Sequence, residues 1–163
     1  METGGQLKPV PAVRIERPTT DDVDAIHALI AREAASNELL PVDKDSIYES
    51  LRDFFVARRS DGQTVGTVAL HVYTWDLAEV RSFCVEPEWR GCGVGGELLR
   101  AVIAEARTLR IGEVFALTRK PELFEHFRFR RVDKTFLPHK VWKDCLKCPK
   151  LLECDEVAVI LEV

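Results

Sequence analysis

Apolar positions recur along this chain at two spacings, about every second residue and about every third or fourth, and the changes between them predict its elements. Val13 to Arg17 reads as a short first strand. Pro18-Thr19-Thr20-Asp21-Asp22 is a helix start, a Thr cap followed by acidic residues. Val23, Ile26 and Ile30 then recur at helical spacing, which carries the helix to about Ala34. A second short helix is expected from Asp43 to Leu51, after Leu39-Leu40-Pro41. Phe54 to Arg58, Thr64 to Tyr73 and Ala78 to Val85 read as strands, the first two joined by a tight turn at Ser60-Asp61-Gly62. Val68, Leu70 and Val72 share one face of the middle strand. From Gly95 to Arg110 the period returns to helical, with Leu98, Leu99, Val102, Ile103, Ala106 and Leu109 as the stripe expected to be buried. Glu113 to Thr118 is a strand, Pro121 to Phe127 a short helix, and Arg130 to Thr135 and Asp155 to Leu161 the last strands.

The order β-α-α-β-β-β-α-β-α-β-β mixes hairpins with crossover helices. It predicts an α/β fold, a mixed central sheet flanked by helices. The chain has 163 residues, 46% of them hydrophobic, enough for one domain with its own core. That domain is expected over residues 12–163, after a loose tail of residues 1–11. The net charge of −4 argues against a nucleic-acid or anionic-membrane partner. No stretch is apolar for long enough to cross a bilayer, and the first residues lack the apolar core of a signal peptide, so a cytoplasmic location is expected. Five cysteines, an odd number, agree with a reducing compartment.

The candidate chemistry starts at Arg90-Gly91-Cys92-Gly93-Val94-Gly95-Gly96, between a strand and a strongly amphipathic helix. Glycines let a backbone come close to a ligand, and the first turn of the helix offers N–H groups and a positive dipole end. Together they suit a phosphate or pyrophosphate. The P-loop is excluded, because no Gly-Lys-Ser/Thr follows. Gly91, Gly93 and Gly96 match GxGxxG formally, but Pro87-Glu88-Trp89-Arg90 separate them from the strand. The next strand also ends in basic Thr118-Arg119-Lys120, where a dinucleotide site needs an acid.

The loop resembles the acetyl-CoA loop of the GNAT acetyltransferases, Arg/Gln-x-x-Gly-x-Gly/Ala, matched without a gap by Arg90 to Gly95. Val85-Glu86-Pro87-Glu88-Trp89-Arg90 looks like that family's lead-in, and the order of elements is the one that family is known for. The resemblance implies a single-domain GNAT fold over nearly the whole chain, with acetyl-CoA as cosubstrate. Leu39-Leu40-Pro41, Ile47-Tyr48, Leu51-Arg52-Asp53-Phe54, Glu79-Val80-Arg81-Ser82 and Leu117-Thr118 are similar to the acetyltransferase domain of bacterial N-acetylglutamate synthases in their short stand-alone form. So are Lys140-Val141-Trp142-Lys143-Asp144-Cys145, Cys148-Pro149-Lys150, Cys154 and Asp155-Glu156-Val157-Ala158. This second resemblance implies transfer of acetyl to the α-amine of an amino acid, glutamate first, which is the opening step of arginine synthesis. It also implies a homodimer as the candidate assembly. The chain departs from the pattern where Val42 and Asp43 replace an Arg-Ser implied to hold a substrate carboxylate, with Lys44 nearby as a substitute. It departs again at Arg128-Phe129, in place of Gly-Phe, where a different turn is expected. Another small amine as acceptor, and a non-catalytic acyl-CoA-binding or regulatory domain, stay open beside the glutamate reading.

Acetyl transfer needs a neutral amine, a polarised thioester carbonyl and a leaving thiolate, all held in line. Arg90 and the backbone of Gly91, Cys92, Gly93, Val94, Gly95 and Gly96 are the candidates for the pyrophosphate. By resemblance, Cys84 and Val85 offer backbone groups to the pantetheine arm. Cys92 reads as a small filler, since direct transfer needs no nucleophile. Glu79 and Arg81 lie two apart on one strand face, continued by Phe83 and Val85, and a buried pair of charges must be mutually paired or functional. Glu79 is the candidate base or water holder, and Arg81 the candidate for the substrate carboxylate. Relatives carry a Tyr acid at the position of Phe124, so Phe124 and Phe127 are left to pack the coenzyme arm or the core. Lys140 and Lys143 are candidates for a second carboxylate, and His139 beside them for a base. His27, His71 and His126 read as structural. Cys145, Cys148 and Cys154 could hold zinc, with His139 or Asp155 as fourth ligand. A disulfide or three free thiols are the alternatives.

Overall fold

The computed structural model describes residues 12–36, 38–137 and 155–163. Strand β1 (Val13–Glu16) leads through a 3-10 turn, Thr20–Asp22, into α1 (Val23–Ala35). Helix α2 (Lys44–Glu49) and a second 3-10 turn, Leu51–Asp53, precede β2 (Phe54–Arg59), β3 (Thr64–Val72) and β4 (Leu77–Val85). Helix α3 (Val94–Thr108), β5 (Glu113–Thr118), α4 (Pro121–His126), β6 (Arg130–Val132) and β7 (Val157–Glu162) complete the order the periodicity predicts. The strands form one seven-stranded sheet in the order β1-β2-β3-β4-β5-β7-β6. β4 and β5 run parallel and every other registered pair is antiparallel, so the sheet is mixed as expected.

Local chemistry fixes the ends of the elements. Asp22 Oδ2 accepts from the Thr19 N–H at 2.7 Å, closing a capping box ahead of α1. Asp43 caps α2, its Oδ1 accepting from the Ser46 N–H at 2.7 Å. That bond holds the exposed Asp43 carboxyl below the usual carboxylate range. Helix α3 stops at Thr108, sooner than the apolar stripe suggests, so Leu109 is 49% exposed rather than buried. The chain leaves α3 through Arg110 in the left-handed region, with the Ile111 N–H donating back to the Ala106 carbonyl at 2.9 Å. Val72 likewise lies at the exposed end of β3, while Val68 and Leu70 are buried.

The turn after α4 is also corrected. Arg128 adopts the left-handed φ of +71° that a glycine would take. The Phe129 N–H donates to the Phe124 carbonyl at 3.1 Å, and the Phe124 and Phe129 rings meet edge to face at 5.3 Å. That hydrogen bond and apolar contact make a helix-ending turn of the usual kind, with Arg bearing the strain.

The chain divides into two compact units. The first holds the described residues up to Ala69 and Ser82–Val102, and the second Leu70–Arg81 and the described residues from Ile103 on. The core of the first is built from Val23, Ile26, Leu29 and Ile30 of α1, Ile47 of α2, and Phe54, Val56, Ala69 and Cys84 of the sheet. Val42 packs against this cluster with Leu39 and Leu51. In the second unit Phe115, Leu137, Ala158 and Ile160 form the apolar cluster, with Tyr73, Leu77, Leu117 and Val132 against it.

Candidate active site

The glycine loop lies in the first unit. A 3-10 turn, Pro87–Trp89, ends β4, and its Trp89 ring lies 5.3 Å from the Arg59 guanidinium. Gly91 and Gly93 then take φ of +74° and +89°, values at which a side chain would be strained, and no heavy atom stands within 4 Å of where a Cβ would be. The chain needs both glycines for its path, and the space beside them is open. Helix α3 starts directly after them at Val94, so the first-turn N–H groups begin at the loop. Val94 itself is buried, at 1% exposure. A Cβ on Gly95 would meet Phe83 Cζ at 3.4 Å, and one on Gly66 would come within 3.0 Å of Leu98 Cδ1. The start of α3 therefore sits close on β3 and β4.

Arg90 is anchored from two sides. Its Nε donates to the Val85 carbonyl at 3.0 Å, and its Nη2 pairs with Glu33 of α1. One residue earlier on α1, Arg32 pairs with Glu86, whose own N–H donates to the Val65 carbonyl at 2.8 Å. Cys84 is buried, and burial pushes its thiol up to about 12. It is a neutral core group at ordinary pH, which disqualifies it as a nucleophile. Cys92 is half-buried, and its thiol faces the Arg90 carbonyl at 3.7 Å.

The second unit holds the charged pair predicted on β4. Glu79 is 4% exposed. Its Oε2 accepts from Arg81 Nε at 3.0 Å and from the Tyr73 hydroxyl at 2.9 Å. Arg81 Nη2 donates in turn to the Tyr73 oxygen. The two charges are thus mutually paired, one of the two outcomes open to them, and a tyrosine joins them. Tyr73 was not legible as a site residue, because it lies outside β4, just past the end of β3. A hairpin turn, in which the Tyr73 N–H donates to the Leu77 carbonyl at 2.9 Å, brings it back over Glu79. Directly after Arg81, Ser82 breaks the strand's regular geometry with a φ of +52°.

The remaining candidates separate. Phe124 is buried against Phe129, whereas Phe127 is half-buried with His126 at its edge. Val42 is in the packing of the first unit, and Lys44 is exposed and paired with Asp24 at 3.0 Å. Neither is held as a carboxylate clamp. His71 lies edge to face on Tyr73 at 4.9 Å. Lys140, Lys143, His139 and the Cys145, Cys148 and Cys154 group fall outside the described residues. Among the described residues there is no cluster of His, Cys, Asp and Glu able to hold a metal ion, and no helix long and apolar enough to cross a membrane.

Residues 21–129 match the acetyltransferase (GNAT) family model. The chain is 36% identical to an uncharacterized N-acetyltransferase of Chlorobaculum tepidum over 85% of its length and 89% of that protein. It is 35% identical to an amino-acid acetyltransferase of Mycobacterium tuberculosis, over 80% of its length and 75% of the relative's. Among solved structures, a Mycobacterium tuberculosis protein in complex with CoA and NLQ superposes with a TM-score of 0.78 at 29% identity, covering 94% of this chain and 99% of that one. The chain belongs to the acetyltransferase (GNAT) family, and acetyl-CoA is its cosubstrate.

Proposed function

We propose that the protein acetylates the α-amine of a free amino acid, L-glutamate first, by direct transfer from acetyl-CoA. The observation that carries this reading is the 35% identity, over 80% of this chain, to a relative named an amino-acid acetyltransferase. The Glu79–Arg81 pair, a buried carboxylate and a guanidinium kept together on one strand, is the acceptor site this reading uses. The motifs shared with N-acetylglutamate synthases make glutamate the acceptor to test first.

In this reading the loop from Arg90 to Gly96 takes the pyrophosphate on its backbone N–H groups, and Cys84 and Val85 line the pantetheine arm with backbone. Arg81 takes the substrate carboxylate, with Lys140 and Lys143 as candidates for the second. Glu79, directly or through water, removes a proton from the ammonium, at a cost of about 1.4 kcal/mol for each pH unit below the amine's pKa. The amine lone pair attacks the thioester carbon, the nitrogen gives up its second proton to solvent, the C–S bond breaks, and the thiolate leaves to be protonated by solvent or another donor. A thiol pKa of about 8.5 makes that departure undemanding. This fits Phe124 as a packing residue where relatives place an acid. Direct transfer needs both reactants held in line, which can lower a barrier by roughly 7–11 kcal/mol.

Val42 favours a second reading. Its place in apolar packing leaves that position without the Arg implied for glutamate, so the same transfer to another small amine follows if glutamate fails. Steady-state kinetics of Arg81→Ala test the carboxylate assignment. Glutamate turnover should collapse while the acetyl-CoA KM stays near that of the wild type; full activity on glutamate would refute the assignment.

A further inference from the structure

We propose that Tyr73 is a positioning residue of the acceptor side, holding Glu79 and Arg81 as one preset unit before the amino acid arrives. The inference rests on the reading that this pair handles the acceptor. It deepens that reading by adding a residue from the turn between β3 and β4.

Three observations converge on Tyr73. Its ring is held by neighbours, tilted on Phe115 at 5.7 Å and edge-on to His71 at 4.9 Å, and it packs against the apolar cluster of the second unit. Its hydroxyl is therefore delivered by a rigid body rather than by a flexible stem. That hydroxyl donates to Glu79 Oε2 at 2.9 Å and accepts from Arg81 Nη2. Arg81 meanwhile donates through Nε to the same Glu79 oxygen at 3.0 Å, so the three groups close a ring of hydrogen bonds. The Arg81 guanidinium also lies 5.3 Å from the centre of the Tyr73 ring.

The ring of bonds has a chemical consequence. Two contacts from one guanidinium, Nε to a carboxylate and Nη2 to a phenol, fix both the position and the plane of Arg81. A salt bridge to Glu79 alone would leave that plane free to turn. An arginine recognises a carboxylate through a planar fork, so its plane decides how well an acceptor is aimed. A small misplacement of a reactant can cost about a hundredfold in rate. Tyr73 would thus act on the amino acid through Arg81 and Glu79, and acetyl-CoA binding should not register its loss.

The test compares wild type, Tyr73→Phe, Arg81→Ala and the double variant in steady-state assays with acetyl-CoA and the best amino acid of a panel. Phe keeps the ring packing, and thermal unfolding checks that each variant folds. The expected result for Tyr73→Phe is a loss of roughly 10- to 100-fold in kcat/KM for the amino acid. Its acetyl-CoA KM should stay within about twofold, and little further loss should follow when the change is added to Arg81→Ala. Unchanged acceptor kinetics in Tyr73→Phe, an equal loss on the acetyl-CoA side, or losses that simply multiply in the double variant would overturn the proposal. A wild-type protein that acetylates no amino acid would overturn the acceptor reading itself, and this inference with it.

Discussion

The Arg90 guanidinium, on the loop that leads into α3, is bound to the Glu33 carboxylate of α1 across 57 residues of sequence. Its Nε meanwhile holds the Val85 carbonyl at 3.0 Å. The loop's one arginine therefore has a structural task as well as the pyrophosphate task we propose for it. Arg90→Ala should raise the acetyl-CoA KM about tenfold, in line with losing a charge-assisted contact, and leave the order of amino-acid preference unchanged. Glu33→Ala, which frees the guanidinium without removing it, should change that KM much less. Initial-rate kinetics with each substrate varied decide the matter. An acetyl-CoA KM unmoved by Arg90→Ala would leave Arg90 as a strut alone.

Cys84 and Cys92 should differ sharply in reactivity. Burial keeps the Cys84 thiol protonated until about pH 12, whereas Cys92 is half-buried in the proposed pyrophosphate loop. Alkylation at neutral pH followed by peptide mass mapping should label Cys92 and spare Cys84. Saturating CoA should slow labelling of Cys92. Fast labelling of Cys84 would contradict the packing described for β4.

Arg58 joins two acids of the first unit. It donates to both Asp22 oxygens, at 2.7 and 2.8 Å, and to Glu16 at 2.7 Å. The hydrogen bonds from Arg58 hold the Asp22 carboxyl below its usual range and raise the guanidinium's own affinity for its proton. Because the folded pKa of Asp22 is depressed, its contribution is complete above the unfolded value of about 3.9. It is lost as pH falls through the folded value. Arg58→Met should cost about 3–5 kcal/mol at neutral pH, since it strands a buried carboxylate. Asp22→Asn should be less stable at neutral pH and flatter in the acid limb, as read by denaturant unfolding from pH 7 to pH 3. An acid limb as steep as the wild type's would contradict the assignment.

At the turn after α4, Arg128→Gly should stabilise the protein. A left-handed residue with a side chain costs roughly 1–2 kcal/mol, and the extra freedom of glycine in the unfolded chain takes back roughly 0.5–1. The expected net gain lies between about 0 and 1.5 kcal/mol, at about 2–4 °C in Tm per kcal/mol for a chain of this size. A lower Tm would mean that the Arg side chain contributes more than its backbone strain costs.

Much of this fold was legible because each element carries its own local signal. The stripe from Leu98 to Ala106, the Thr cap ahead of α1 and the glycines at 91 and 93 are each read within one element or one loop. The failures share one physical cause, that the deciding partner is distant in sequence or the deciding residue is atypical. Leu109 fits the helical period, yet the helix has already ended in a turn through Arg110, a position where no glycine gives warning. Arg128 misleads in the same way, as an atypical residue in a left-handed position, although the Phe124–Phe129 contact that sustains the turn is local. At the site, Glu79 and Arg81 were found because two residues on one strand share a face. Tyr73 was missed because only the hairpin register brings it to them. Val42 stood out as a departure from a motif, and its packing, with Leu39 and Leu51, against the core of the first unit supplies the physical reason for an apolar residue there.

The central claim, acetyl transfer to the α-amine of an amino acid, is tested most directly by supplying the purified protein with acetyl-CoA and a panel of free amino acids. The products are read by mass spectrometry, a readout that the five cysteines do not disturb. N-acetylglutamate as the dominant product, with one CoA released per acetyl transferred, is the result expected here. Acetylation of a different amino acid would keep the chemistry and move the acceptor. No acetylated amino acid at all, from protein shown to bind acetyl-CoA, would contradict the claim.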